Sequence, residues 1–174
     1  MSDSPSRSHT GFVPAKTSAG ILLFRKANRR IDVLLGHMGG PFWARRDDGA
    51  WSIPKGEYEP PEDALSAARR EFTEELGLPV PPGELIHLGG VKQPGGKLVS
   101  VWAIESDLDP DIVVPGTFEM EWPPRSGHVQ TFLEVDRVAW FELDVAARKL
   151  VKGQQPFLDR LADLDALGPE PPPA

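Results

Sequence analysis

The chain reads as an α/β fold on three observations. Short apolar runs with β-strand character recur along it, segments with helical spacing are interspersed among them, and no internal repeat is visible. A length of 174 residues with 40% hydrophobic and 26% charged content suits one domain able to bury a core.

The elements follow in chain order. SAGILLFRK and IDVLLGH are apolar and β-rich and flank the polar turn ANRR, which predicts an antiparallel pair. GGPFWARRDDGA then reads as a loop. EDALSAARREFTEEL is rich in strong helix formers, with Pro60 and Pro61 before it and Gly77 placed as a C-terminal cap. ELIHLGGV, KLVSVWAIES and TFLEVDRVAWFEL have strand character, while DVAARKL and PFLDRLADL have helical spacing. The Ser- and Pro-rich start and the closing LGPEPPPA bury too little apolar surface to offset the entropy of ordering. Residues 1–15 and 168–174 are therefore expected to be mobile tails around a single domain over residues 16–167.

Charge and composition narrow the chemistry. Lys plus Arg total 19 against 26 acids, a formal charge of -7. That balance disfavours nonspecific binding to nucleic acid or anionic membrane, so neither a stable nucleic-acid complex nor membrane association is expected. With no cysteine, disulfides and thiolate metal sites are excluded. Carboxylates, histidines and backbone oxygens remain as ligands, and they favour a hard cation such as magnesium. The first sixteen residues lack the apolar stretch of a secretory signal. No run approaches the roughly 18 apolar residues of a membrane helix, and a cytoplasmic location is the expectation.

The helix EDALSAARREFTEEL carries the chemistry. At about 100° per residue, with Glu71 at zero, Glu74 falls near -60° and Glu75 near +40°, while Leu65, Ala68, Phe72 and Leu76 cluster between about +60° and +140°. Three carboxylates thus line one flank of the apolar stripe. Such a face is ordinarily solvated surface. Acids near a helix C-terminus oppose the macrodipole and repel at these spacings, but only by a few tenths to about 1 kcal/mol. Charge alone does not decide between surface and site; spacing does.

That spacing is Gly56, five residues, Glu62, seven residues, Arg70-Glu71-Phe72, one residue, Glu74-Glu75, one residue, then Gly77-Leu78. It resembles the box of the Nudix hydrolases at every defining position. Pro61 stands where many relatives have glycine and Phe72 where an aliphatic is common, and neither position is invariant in the family. The resemblance implies an α/β/α sandwich with a mixed sheet and a loop-helix-loop catalytic motif. It implies hydrolysis of a nucleoside diphosphate linked to another group, with divalent cations as cofactor: Mg2+, with Mn2+ as the alternative.

Pyrophosphate presents crowded anionic oxygens, which cations held by carboxylates neutralise while lowering the pKa of an attacking water. By position in the box, Glu71 and Glu75 are expected as primary metal ligands. Glu74 is expected to bind metal directly or through water, and the Lys55 backbone carbonyl to add an oxygen. Arg70 is expected to orient the carboxylates. Glu62 lies more than two helical turns before Glu71, so a structural bond within the loop-helix unit is expected of it. Gly56 serves as a turn residue and lets the loop backbone approach metal and phosphate.

The family recruits its general base from the box or from a loop far beyond it, and the outside candidates are Glu119, Glu121 and Glu134. Glu134 precedes VDRVAWFEL, which resembles the late loop-strand of diadenosine tetraphosphate hydrolases, where an acid approaches the metals; the alternative is a surface carboxylate. Glu119 and Glu121 lie in FEMEWPPRSGH, whose prolines and glycine suggest a loop able to fold over a pocket. Exposed loop acids are the plainer reading of both.

The substrate signal is thinner. WSIPKGEYEPPEDAL resembles the box entrance of diadenosine polyphosphate hydrolases, although other subfamilies share such entrances. Lys55 is a candidate phosphate contact, as are Arg45 and Arg46, for which solvated charge is the alternative. Trp43 and Tyr58, with Phe42 and Trp122, are candidate stacking surfaces for a base, against core packing. His37 and His128 read as structural or exposed. The substrate is expected to be a nucleotide-type small molecule, bound by a monomer or homodimer. Three readings compete: a dinucleoside polyphosphate hydrolase, a pyrophosphohydrolase of nucleoside triphosphates or RNA 5′ ends, and a nonhydrolytic nucleotide sensor. Retention of Glu71, Glu74 and Glu75 disfavours the sensor.

Overall fold

The computed structural model describes residues 14–166. The tail expected at residues 168–174 lies outside the described residues, as does all of the N-terminal one except Pro14 and Ala15.

Strands β1 (Thr17–Ala27) and β2 (Arg30–Met38) form the antiparallel pair that the first two apolar runs predict. Asn28 and Arg29 turn the chain with φ of 52° and 62°, both in the left-handed region that a two-residue hairpin turn matching the strand twist requires. The two strands pair only from Ala27–Arg30 to Phe24–Val33. Beyond that register the segment from Trp51 to Tyr58 supplies their partners. Strand β3 (Trp51–Ser52) bonds β2 at Gly36 and His37, and β4 (Lys55–Tyr58) bonds β1 from Gly20 to Thr17. Between them the Pro54 carbonyl accepts the Ile21 N–H at 3.1 Å. Pairing at both ends fixes Lys55 and Gly56 within the sheet.

The predicted helix is α1 (Ala64–Leu76). Its start is set by Asp63, whose carboxylate accepts the Ser66 N–H at 2.9 Å, satisfying one of the orphan donors of the first turn. Its end is set by Gly77 at φ 68°, which donates its N–H to the Thr73 carbonyl at 2.8 Å. Ala67, Ala68, Phe72 and Leu76 are fully buried. They pack on Ala19, Ile21 and Leu23 of β1, which the two-residue period of a strand points to one face.

Strands β5 (Ile86–Lys92) and β6 (Leu98–Glu105) extend the sheet, with β6 parallel to β1 and β5 antiparallel to β6. Strand β9 (Val135–Glu142) closes the other side, antiparallel to β2. The seven strands make one mixed sheet. Its second face, bearing Leu22, Phe24, Val33 and Leu35, is covered by α2 (Leu143–Lys149) and α3 (Gln155–Ala166) through Ala146, Phe157 and Leu161, with Leu150 just after α2 in the same core. The result is the three-layer α/β/α sandwich with a mixed sheet. No helix among the described residues is long and apolar enough to cross a membrane.

Two readings of local structure change. FEMEWPPRSGH, taken as a loop, is half strand: β7 (Thr117–Glu121) pairs with β8 (Val129–Leu133) in a two-stranded ribbon of its own. Phe118 and Met120 alternate with exposed Thr117, Glu119 and Glu121, a strand period that the neighbouring prolines and glycine obscured. TFLEVDRVAWFEL is two strands divided at Glu134, one in the ribbon and one in the main sheet.

Candidate active site

Gly56 and the helix flank meet at short range. A Cβ built on Gly56 would overlap the carboxylate of Glu71, so only a glycine lets that side chain lie against β4. Glu75, half-buried one turn further on, accepts the Lys55 N–H at 3.3 Å. Burial pushes its carboxyl up to about 8; repulsion from Glu71 and Glu134 adds to the rise, while Lys55 opposes it.

Arg70 organises the opposite side. Its Nε and Nη2 donate to the two oxygens of Glu62 at 2.9 and 2.8 Å, a fork-to-fork pair. Its Nη1 reaches Glu71 at 2.8 Å and Glu74 at 3.2 Å, and Nη2 reaches the Glu57 carbonyl at 3.3 Å. One guanidinium therefore ties the strand before the helix to three glutamates of the box, and it holds the Glu62 carboxyl below its usual range. Glu71 is the most enclosed of the three, its side chain 14% exposed against 55% for Glu74.

Glu134 joins this group from far along the chain. Its N–H donates to the Gly116 carbonyl at 2.9 Å, and its carbonyl accepts the Gly39 N–H at 3.0 Å. A Cβ on Gly116 would fall 2.6 Å from the Glu74 carbonyl and 3.1 Å from Glu134 Oε2. The missing side chain at Gly116 thus lets the β8–β9 junction close on the end of α1. Burial raises the Glu134 carboxyl, and the charges of Glu71 and Glu74 raise it further. Glu119 and Glu121 are exposed on β7, and Glu121 accepts the Gly127 N–H of its own ribbon at 3.4 Å.

The carboxylates fit a divalent cation by chemistry. All are hard oxygen donors, and burial, with repulsion among the carboxylates adding to it, raises Glu75 and Glu134, so a cation there would offset negative charge that is costly to bury. Among the described residues no three acidic or histidine side chains already converge on one point, since Arg70 draws Glu71 and Glu74 to its own side.

The candidate substrate contacts occupy three separate places. Lys55 is half-buried beside Glu75 and Glu71, and its ammonium pKa is lowered by burial first and by Lys97 second. Tyr58 ends β4. It packs on the α1 core and, with Lys16, Thr17, Glu62 and Arg70, lines an open recess of about 450 Å³. Trp43, Arg45 and Arg46 sit on the loop after β2. Trp43 is half-buried against the core beneath α2 and α3, with the Arg46 guanidinium 5.5 Å above its ring, and Arg45 is exposed.

His37 is fully buried, with Nδ1 2.8 Å from Asp136 Oδ1 and Nε2 2.6 Å from the Arg46 carbonyl. It anchors that loop. His128 is exposed in the ribbon turn, where its carbonyl accepts the Trp122 N–H at 2.8 Å. Sequence reasoning passed over Gly39, Gly116 and Asp63. The Asp before a helix-forming run was a readable cap signal, whereas the two glycines matter through contacts with distant segments.

A family model described as NUDIX domain matches residues 14–161. A search of curated protein sequences finds no match. Among solved structures, a C. elegans Ap4A hydrolase binary complex superposes with a TM-score of 0.61 at 22% identity, covering 87% of this chain and 98% of that one. The NUDIX domain of Shewanella oneidensis NrtR, complexed with ADP ribose, gives 0.61 at 16% identity, covering 91% and 93%. RenU, a Nudix hydrolase from M. smegmatis, gives 0.55 at 23% identity, covering 90% and 89%. At these identities the structures show a shared fold. With the family match spanning nearly all the described residues and the box geometry in place, the chain belongs to the NUDIX domain family, whose Nudix hydrolases are pyrophosphohydrolases using divalent metal ions.

Proposed function

We propose that this protein hydrolyses a pyrophosphate linkage in a dinucleoside polyphosphate of the diadenosine tetraphosphate type, with Mg2+ as cofactor. The observation that carries the reaction is the approach of Glu134, 59 residues beyond Glu75, to the end of α1 that bears Glu71, Glu74 and Glu75, made by the β8–β9 junction. The dinucleoside substrate is supported by the box entrance from Trp51 to Leu65, which resembles that of diadenosine polyphosphate hydrolases.

In this reading Glu71 and Glu75 hold the cation, with Glu74 and the Lys55 carbonyl as further oxygens. When bound, the cation neutralises phosphate oxygens and lowers the pKa of the attacking water. Lys55 places its ammonium against a phosphate oxygen, and its partial burial beside Glu75 and Glu71 strengthens that attraction by excluding water. Arg70, anchored by Glu62, keeps the carboxylates oriented. Glu134 takes the proton from the attacking water, its raised pKa bringing it nearer to the operating pH of a general base.

The test is product analysis with and without Mg2+ across diadenosine polyphosphates, nucleoside triphosphates, sugar nucleotides and capped RNA. Preferred turnover of the diadenosine compounds is expected. Preference for a triphosphate or an RNA end would replace the substrate assignment, and tight nucleotide binding with no turnover would make the protein a sensor. Glu75→Gln is expected to lower kcat by at least about a hundredfold, in line with losses from removing one charge-stabilising group, with an unchanged circular dichroism spectrum. Full Mg2+-dependent activity in that variant would sink the metal assignment.

A further inference from the structure

The ribbon and the loop after β2 both start at the carboxylate centre and meet again away from it. The ribbon begins beyond Gly116, whose carbonyl accepts the Glu134 N–H, and the loop begins at Gly39, whose N–H donates to the Glu134 carbonyl. Phe118 lies against the loop, since a Cβ on Gly40 would fall 3.0 Å from its Cζ. Further out, the rings of Phe42 and Trp122 meet edge to face, with centroids 5.2 Å apart at 79°. The seven residues from Gly116 to Trp122 span up to about 20 Å of extended chain, and the three steps from Gly39 to Phe42 at most about 11 Å.

Phe42 remains 59% exposed in that contact, so the pair offers an open aromatic surface. The charges around it are sorted. Arg45 and Arg46 follow Phe42 in the same loop, and Arg125 stands exposed in the ribbon turn. Glu119 and Glu121 alternate with Phe118, Met120 and Trp122, so they belong to the other face of the ribbon. Asp47 and Asp48 are paired with Lys149. An exposed aromatic surface, with arginines in both segments that carry it, fits a nucleobase carried on a phosphate chain, through stacking on the rings and attraction of the phosphates. Its place on the loop and ribbon that both start at Glu134 fits a base joined to the reacting phosphorus through a phosphate chain.

We propose that Phe42 and Trp122 form the site for the distal nucleoside of a dinucleoside polyphosphate whose reacting phosphate lies at Glu71, Glu75 and Glu134. This rests on the dinucleoside reading above and adds to it the residues that select for a second nucleoside.

The experiment compares kcat/KM for diadenosine tetraphosphate with that for adenosine 5′-tetraphosphate, which lacks only the second nucleoside. Wild type, Phe42→Ala, Phe42→Leu, Phe42→Tyr and Trp122→Phe are measured in Mg2+. The ratio of the two values is expected to fall about tenfold in the Ala and Leu variants, chiefly through KM, and to survive in Tyr and Trp122→Phe, as stacking on a ring requires. Equal losses on both substrates would show that the pair only holds the loop against the ribbon, and no loss on either would remove it from substrate binding; both results overturn the proposal. Should wild type turn over neither compound, the dinucleoside hydrolase reading fails separately, and equilibrium binding of the same two nucleotides decides the site. Tighter binding of the two-nucleoside ligand, lost in Phe42→Ala, supports it, and equal binding overturns it.

Discussion

At the scale of single residues, the site depends as much on missing side chains as on charged ones. Gly56 makes room for the Glu71 carboxylate, and Gly116 lets Glu134 approach the end of α1. Gly56→Ala is expected to displace Glu71 and lower kcat/KM roughly a hundredfold, the scale of loss that accompanies misplacement by about 1 Å. Steady-state kinetics with a melting curve as control checks this, and a variant with full activity would show that the Glu71 position is irrelevant. The glutamates were legible in the sequence because their chemistry and spacing are local. Gly116 was not, since its partners lie 42 and 18 residues away, at Glu74 and Glu134.

At the scale of elements, α1 owes its bounds to its two caps and its position to one buried face. Asp63 accepts the Ser66 N–H through Oδ1 and the Ser66 hydroxyl through Oδ2. The Ser66 N–H first, and the Ser66 hydroxyl second, keep the Asp63 carboxyl below its usual range. Asp63→Ala is expected to lower the Tm by about 2–4 °C near neutral pH. Because the folded pKa is depressed, the cap's contribution is complete above the ordinary value and is lost as pH falls through the folded one. Thermal melts of wild type and variant should therefore converge once pH has fallen through that depressed folded pKa, below the ordinary carboxylate range, and a gap that persisted there would mean that charge plays no part in the cap. The ribbon shows the limit of reading elements from sequence. Its alternation is present, but Pro123, Pro124 and Gly127 in the turn dominate the local signal.

At the scale of the whole molecule, the two faces of the sheet divide the labour. The α1 face carries the carboxylates, while the α2–α3 face supplies apolar core, with Phe157, Leu158 and Leu161 packed over Val99 and Val101. Phe157 is fully buried, and Phe157→Ala is expected to destabilise the protein by about 3–5 kcal/mol. Urea unfolding reads this out, and a loss under about 1 kcal/mol would mean that α3 is not part of the cooperative unit. The sequence by itself determined the α/β class, the Gly77 cap of α1, the box and the carboxylate flank, because each is written in residues within a few helical turns of one another. Only the tertiary structure decided that Glu134 reaches the box, that Trp43 packs on the core while Phe42 stays open, and that His37 anchors a loop. Those outcomes depend on which strands pair and on where the chain is free of Cβ atoms, and such long-range contacts leave no periodic trace in the sequence.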